Sequence, residues 1–78
     1  MEPIEVRFGR VLRALREKSG ESQEAFAAKA GVHRTYVSSI ELGKVQVSIA
    51  IAEQLSAALG IPLSKMWKQV EAGGRENL

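Results

Sequence analysis

Two short helical segments that meet at a glycine constrain this chain more than any other feature. They lie within residues 23–43, and Gly31 stands between them, where a residue without a Cβ permits a sharp turn. Ala27 is small where the two helices would cross, and Val37 and Ile40 lie three residues apart on one face of the second segment. The pattern predicts two helices joined by a tight turn.

The second segment carries polar side chains between its apolar ones. Each of them can hydrogen-bond a base edge or a phosphate group: His33, Arg34, Thr35, Ser38 and Ser39. Two helices joined by a short turn, the second with a polar outer face, are the build of a helix-turn-helix, whose second helix enters the major groove of DNA. The sequence therefore predicts a unit that binds double-stranded DNA.

Length and composition exclude several other classes. The 78 residues suffice for one small domain, and the absence of cysteine excludes disulfides and thiol chemistry and fits a reducing cytoplasm. No apolar run approaches the roughly 20 residues of a membrane helix. We expect no enzyme activity, cofactor, metal or small-molecule ligand, because the single histidine lies in the DNA-facing segment and no nucleophile–base pair or metal-ligand cluster can be placed.

Positive charge is concentrated where the helix pair lies, although the net charge is only +2. Residues 1–46 carry eight Lys or Arg and six Glu, whereas residues 47–78 carry three basic and three acidic residues. This distribution favours a phosphate-bearing partner for the first half of the chain.

Apolar spacing and capping residues predict five helices and no strand. The helices are expected at about residues 5–18, 23–30, 34–41, 49–59 and 62–71. Ser22 and Ser48 are the expected N-caps of the second and fourth helices, and Pro62 suits the first turn of the fifth. We therefore predict one all-α domain over residues 1–72, a compact five-helix bundle. Residues 73–78 are expected to be a disordered tail, whose last three residues also begin a common protease-cleavage tag.

A set of residues in one register carries a family resemblance: Gln23, Ala27, Gly31, Val37, Ile40, the Glu-x-Gly of residues 41–43, and Leu55-x-x-x-Leu59-Gly60-Ile61-Pro62. On these positions the stretch from about Val6 to Val70 resembles the Cro/cI-type, or XRE-like, helix-turn-helix family, which implies a lambda-repressor-like fold. Within that family, residues 31–38 are similar to the controller proteins of restriction–modification systems.

The resemblance, taken with side-chain chemistry, implies roles for individual residues. Base contacts are expected from Arg34, Thr35, Ser38 and Ser39. An arginine can fork onto O6 and N7 of guanine, and the threonine methyl suits the methyl of thymine. Phosphate contacts are expected from Ser22, Gln23, His33, Tyr36 and Lys44. Capping of the helix is the alternative for His33, and core packing is the alternative for Tyr36.

The same resemblance places Arg16 beside Glu41. We expect a partly buried ion pair that locks the recognition helix to the rest of the domain, with no contact to bases.

The fifth helix carries more apolar side chains than a small bundle can cover on one side: Ile61, Leu63, Met66, Trp67 and Val70. Some of them must pack on the first and fourth helices. One short recognition helix contacts too few base pairs for useful specificity. We therefore predict a homodimer formed through this helix, with its two recognition helices about 34–36 Å apart, one turn of DNA.

These observations predict a sequence-specific DNA-binding transcriptional regulator that acts as a homodimer on a near-palindromic operator. By resemblance, it controls its own promoter. We expect a cytoplasmic, nucleoid-associated protein of bacterial or phage origin with no membrane partner. The alternative is an antitoxin or other interaction module that sequesters a partner protein through the fourth and fifth helices.

Overall fold

The computed structural model describes residues 2–73, which form five α-helices and no strand in that range. They are α1 (Ile4–Lys18), α2 (Gln23–Ala30), α3 (Arg34–Glu41), α4 (Ile49–Ala58) and α5 (Leu63–Glu71). The predicted all-α class is confirmed. None of the described helices combines the length and apolar character needed to traverse a bilayer.

The helix ends differ from the predicted ones by single residues. Helix α1 begins at Ile4, one residue earlier than expected. Helix α4 ends at Ala58 because Leu59 takes the C-cap position. Pro62 lies outside the first turn of α5: its extended backbone, with ψ of 150°, makes it the N-cap residue. The serine caps are confirmed, since the Oγ atoms of Ser22 and Ser48 each accept a backbone N–H three residues ahead, at 3.0 and 3.1 Å.

Arg10 ties together the two ends of the described chain. Its guanidinium donates to the carbonyl oxygen of Gly73 at 2.6 Å and forms an ion pair with Glu2. Gly73 therefore belongs to the turn that ends α5, although the predicted tail began there. The remainder of that prediction, residues 74–78, lies outside the described residues.

The core contains residues from all five helices. Helix α1 packs on α3 and α5, α2 packs on α3 and α4, and α4 packs on α5. The core comprises Phe8, Val11, Leu12, Phe26, Ala27, Ala30, Val37, Ile40, Ala52, Leu55, Met66 and Val70. The ring centroids of Phe8 and Trp67 are 5.4 Å apart and the ring planes are inclined by 50°, so this aromatic contact joins α5 to α1. This packing fixes α3 on the scaffold with one face outward.

The prediction for α5 is wrong at two positions. Met66 and Val70 are 0% exposed in the isolated chain, so they belong to the core and cannot reach a second molecule. The physical reason is that these two residues lie four apart on the side of α5 that packs into the bundle. Ile61, Leu63 and Trp67 pack against the core but remain partly exposed.

Helices α1 and α3 pack closely together at Gly9, a residue that sequence reasoning missed. A Cβ at Gly9 would lie 2.1 Å from the carbonyl oxygen of Ile40 and 3.0 Å from that of Glu41. The lack of a side chain is therefore required for this crossing. The available signal was a single glycine inside an otherwise regular apolar helix pattern.

Candidate nucleic-acid interface

The turn between α2 and α3 depends on the left-handed backbone of Gly31, whose φ is +77°. The N–H of Val32 then donates to the carbonyl oxygen of Ala27 at 3.0 Å, which closes the end of α2. Gln54 of α4 donates to the carbonyl oxygen of Ala30 at 3.2 Å. The hydrogen bonds from Val32 and Gln54 therefore both hold the turn, and they set the direction of α3 relative to α2 and α4.

Helix α3 is divided into an apolar inner face and a polar outer face. Val37 and Ile40 are 0% exposed and anchor the inner face in the core. The four predicted base-contact residues form two pairs spaced four apart, so each pair lies on one side of the helix. The first-turn residues of these pairs are exposed and the second-turn residues are half-buried: Arg34 with Ser38, and Thr35 with Ser39.

His33 caps helix α3. Its Nδ1 accepts the backbone N–H of Thr35 at 3.2 Å and lies 2.8 Å from the Oγ1 of Thr35. Capping, one of the two roles considered for His33, is present in the structure. The phosphate contact stays a prediction, with Nε2 as the ring atom left for it.

The other predicted phosphate contacts lie at helix ends around α3. Ser22 is exposed and Gln23 half-buried at the N-terminus of α2, where backbone N–H groups favour an anion. Lys44 is exposed just beyond α3, and its backbone N–H donates to the carbonyl oxygen of Ser39 at 3.0 Å. Tyr36 packs partly against the core. Contacts of these residues with DNA remain predictions.

Arg16 and Glu41 lie together and connect α1 to the end of α3. The Nε and Nη2 atoms of Arg16 donate to the two carboxylate oxygens of Glu41 at 2.6 and 3.0 Å. The Nη1 atom donates to the carbonyl oxygen of Glu21 at 2.8 Å. Their side chains are only 10% and 3% exposed, respectively, so this is a buried bidentate pair.

Gln23 joins this pair, a contact that the sequence analysis did not foresee. Its Nε2 donates to Oε1 of Glu41 at 2.9 Å, which links the start of α2 to the end of α3. The amide nitrogen has a second N–H that is available for a phosphate. Gln23 therefore helps to hold the helix pair together, and its phosphate contact stays a prediction.

The charge state of this network is well defined. The hydrogen bond to Glu41 raises the pKa of the Arg16 guanidinium; burial opposes this shift, and the charges of Glu41 and Glu17 reinforce it. Arg16 therefore remains a cation wherever the domain is folded.

The outer face of α3 is a hydrogen-bonding surface. Arg34 supplies only donors, whereas the hydroxyls of Ser38 and Ser39 can both donate and accept. The hydroxyl of Thr35 lies in the contact with Nδ1 of His33. Within residues 2–73, no group of three or more His, Cys, Asp or Glu is arranged to hold a metal ion. The arrangement can read base edges with its first turn and hold phosphates at the surrounding helix ends.

Comparison with known proteins connects this geometry to a family. Residues 12–66 match the family model described as helix-turn-helix. The chain is 50% identical to control protein C.MunI of a Mycoplasma species, over 91% of this chain and 97% of that protein. It is 44% identical to control protein C.BamHI of Bacillus amyloliquefaciens, over 74% of this chain and 73% of that protein. The crystal structure of the restriction-modification controller protein C.AhdI from Aeromonas hydrophila is similar, with a TM-score of 0.77 and 39% identity over 80% of this chain and 94% of that chain.

Proposed function

The chain belongs to the helix-turn-helix family of DNA-binding regulators, and on that premise we propose that it acts as a homodimer on a near-palindromic operator. This family is one of regulators and not of enzymes. The observation that carries the proposal is the division of α3, with Val37 and Ile40 buried and Arg34 and Thr35 exposed in its first turn. Such a helix can enter the major groove without disturbing the core.

The relatives support a narrower role. C.MunI and C.BamHI are named control proteins, and C.AhdI is a restriction-modification controller protein. We therefore propose that this chain controls the genes of a restriction–modification system, its own promoter included. A regulator of this kind works where the chromosome is, so we place it in the cytoplasm, associated with the nucleoid.

Sequence-selective and salt-dependent DNA binding tests the function itself. A duplex selected from a randomised library should bind far more tightly than a scrambled duplex. Its affinity should fall steeply with salt, because each neutralised phosphate contributes about −0.9 to the slope of log affinity against log salt. Fluorescence anisotropy over a salt series measures both quantities. Binding without sequence preference, or a slope near zero, would contradict the proposal.

Arg34 and Lys44 provide a matched comparison within the interface, since each substitution to alanine removes one exposed cation. Arg34→Ala should cost about 1–3 kcal/mol on the selected duplex and relax the preference at one base position in each half-site. Lys44→Ala should weaken binding to selected and scrambled duplexes alike. Repeating the library selection with each variant measures the preference. An equal loss on both duplexes for Arg34→Ala would make Arg34 a phosphate contact.

The dimer surface must lie on side chains that the monomer leaves exposed. Trp67 lines a hollow of about 180 Å³ together with Ile4, Val45 and Val47. Ile4 is 49% exposed, so part of its side chain is open to a second molecule. We propose that the apolar patch formed by these four residues is where the second copy binds. The sequence-based candidates Ile61 and Leu63 stay predictions.

Ile4→Lys should therefore shift the dimer toward monomer without unfolding the domain, because Ile4 lines the hollow and is half-exposed. Burying the exposed half of this side chain is worth about 1 kcal/mol, and two-fold symmetry counts it twice, so the dissociation constant should rise at least about tenfold. Leu42→Lys is the control, because Leu42 is also exposed, at 60%, but does not line the hollow. Sedimentation velocity over a concentration series decides. An unchanged dimer for Ile4→Lys would move the interface elsewhere.

The alternative function uses the same apolar patch with a different partner. An antitoxin-like module would hold another protein there in place of a second copy. A chain that remained monomeric and showed no sequence preference in the assays above would favour this alternative.

A further inference from the structure

We infer that His33 sets the hydrogen-bonding polarity of Thr35, so that Thr35 contacts a base that presents an exocyclic amino group in the major groove, adenine or cytosine. The inference rests on the proposed function and specifies what one of its recognition residues reads. His33 is a positioning residue in this scheme, because it acts on the DNA base only through Thr35.

The positions of the hydrogen atoms follow from a backbone donor. A backbone N–H can only donate, so the 3.2 Å contact from the N–H of Thr35 requires a lone pair on Nδ1 of His33. The ring proton then lies on Nε2. The 2.8 Å contact between Nδ1 and the Oγ1 of Thr35 must in turn use the hydroxyl hydrogen of Thr35. Both donors therefore converge on one acceptor.

The hydroxyl of Thr35 is left with acceptor capacity only. Its hydrogen points back to His33, and its lone pairs and methyl group remain for the DNA. In the major groove, adenine N6 and cytosine N4 are donors, whereas guanine presents only the acceptors N7 and O6 and thymine presents O4. An acceptor-only hydroxyl matches the amino groups and does not match guanine.

Arg34 has the opposite polarity in the same helical turn. Its guanidinium has donors only and suits the two acceptors of guanine. Two neighbouring exposed side chains thus read opposite patterns. The ring nitrogen Nε2 of His33, which carries the proton, is at the same time able to donate to a phosphate.

The first experiment deletes single amino groups from the duplex that the wild-type protein selects from a randomised library. Adenines are replaced by purine and cytosines by 2-pyrimidinone, one position at a time. At one position per half-site the analogue should weaken the wild type roughly three- to tenfold, the value of one hydrogen bond. Thr35→Val keeps the branched shape but lacks the hydroxyl, so the same analogue should weaken it no further. A Thr35-dependent loss that appears only when an acceptor is removed, as in 7-deazaguanine, would overturn the inference.

The second experiment separates positioning from simple capping. His33→Asn supplies an acceptor oxygen to both donors of Thr35 and should keep the effect of the amino group. His33→Ala frees the hydroxyl of Thr35 to rotate, so the amino effect should shrink to less than about twofold. If His33 only caps the helix, His33→Ala weakens all duplexes alike with the amino effect intact, which overturns the inference.

The two proposals fail in different ways. Wild-type protein that selects no sequence from the library refutes the proposed function and removes the premise of this inference. Wild-type protein that selects a sequence but tolerates every amino deletion refutes the inference alone.

Discussion

Replacing Gly9 with alanine should destabilise the domain by at least about 3 kcal/mol, although alanine is the better helix former. Helix propensity alone predicts a gain of about 1 kcal/mol. The new Cβ would lie 2.1 Å from the carbonyl oxygen of Ile40, a backbone atom that can move only if α1 and α3 separate. The clash exceeds the usual cost of overpacking, about 1–3 kcal/mol, because no side chain can rotate to relieve it. Urea unfolding followed by circular dichroism measures the change.

Gly60→Ala separates this packing effect from backbone strain. Gly60 has a φ of +75°, and a Cβ there would meet nothing within 4 Å. The Gly60→Ala substitution should lower the free energy of unfolding by only about 1–2 kcal/mol, because alanine disfavours a left-handed backbone. Both variants should be compared at one protein concentration, because dimer formation adds to apparent stability. A stability of Gly9→Ala equal to or above that of the wild type would mean that α1 and α3 do not cross as closely as described.

Breaking the buried pair of Arg16 and Glu41 should have a similarly large effect. Arg16→Met leaves a carboxylate that is 3% exposed without its cation, and Glu41→Leu leaves the guanidinium without its anion. Each single substitution should cost about 3–5 kcal/mol. The double variant strands no charge and should be close to neutral by the same principle. Urea unfolding of the four proteins gives the coupling energy between the two positions.

Gln23→Ala is the control for this cycle, because it removes the third member of the network without stranding a charge. Gln23 donates to Glu41 at 2.9 Å, so its loss should cost only about 0.5–1.5 kcal/mol of stability, the value of one hydrogen bond. Arg16→Met could instead lower the free energy of unfolding by no more than Gln23→Ala does. The Arg16–Glu41 pair would then contribute no more than a solvent-exposed ion pair, and its role in fixing α3 would be contradicted.

Local features of the fold were predictable because they depend on neighbours along the chain. The serine caps Ser22 and Ser48 act on residues three positions ahead, and Gly31 marks a turn by its own backbone freedom. The burial of Val37 and Ile40 followed from their spacing in the sequence. The predicted helices therefore differ from the structure by single residues at their ends.

Part of the candidate site depends on residues that the chain brings together from a distance. Gln23 and Glu41 are 18 positions apart in the sequence. Residue spacing therefore could not predict that the Gln23 amide donates to Glu41. The contact of His33 with Thr35 is local in the sequence. The imidazole ring caps α3 only because the folded backbone at the start of α3 turns Nδ1 toward the N–H of Thr35. Sequence chemistry alone left capping and phosphate contact as open alternatives.

The sequence by itself determined the five helices, the tight turn between α2 and α3, and the polar composition of the outer face of α3. These follow from apolar periodicity, caps and glycine, which act within a few residues. Only the tertiary structure decided that Gly9 must lack a side chain and that Met66 and Val70 belong to the core. The physical reason is that an apolar helix face has the same sequence pattern whether it is covered by its own domain or by a second molecule. Which of the two covers it depends on the crossing of helices that lie far apart in the chain.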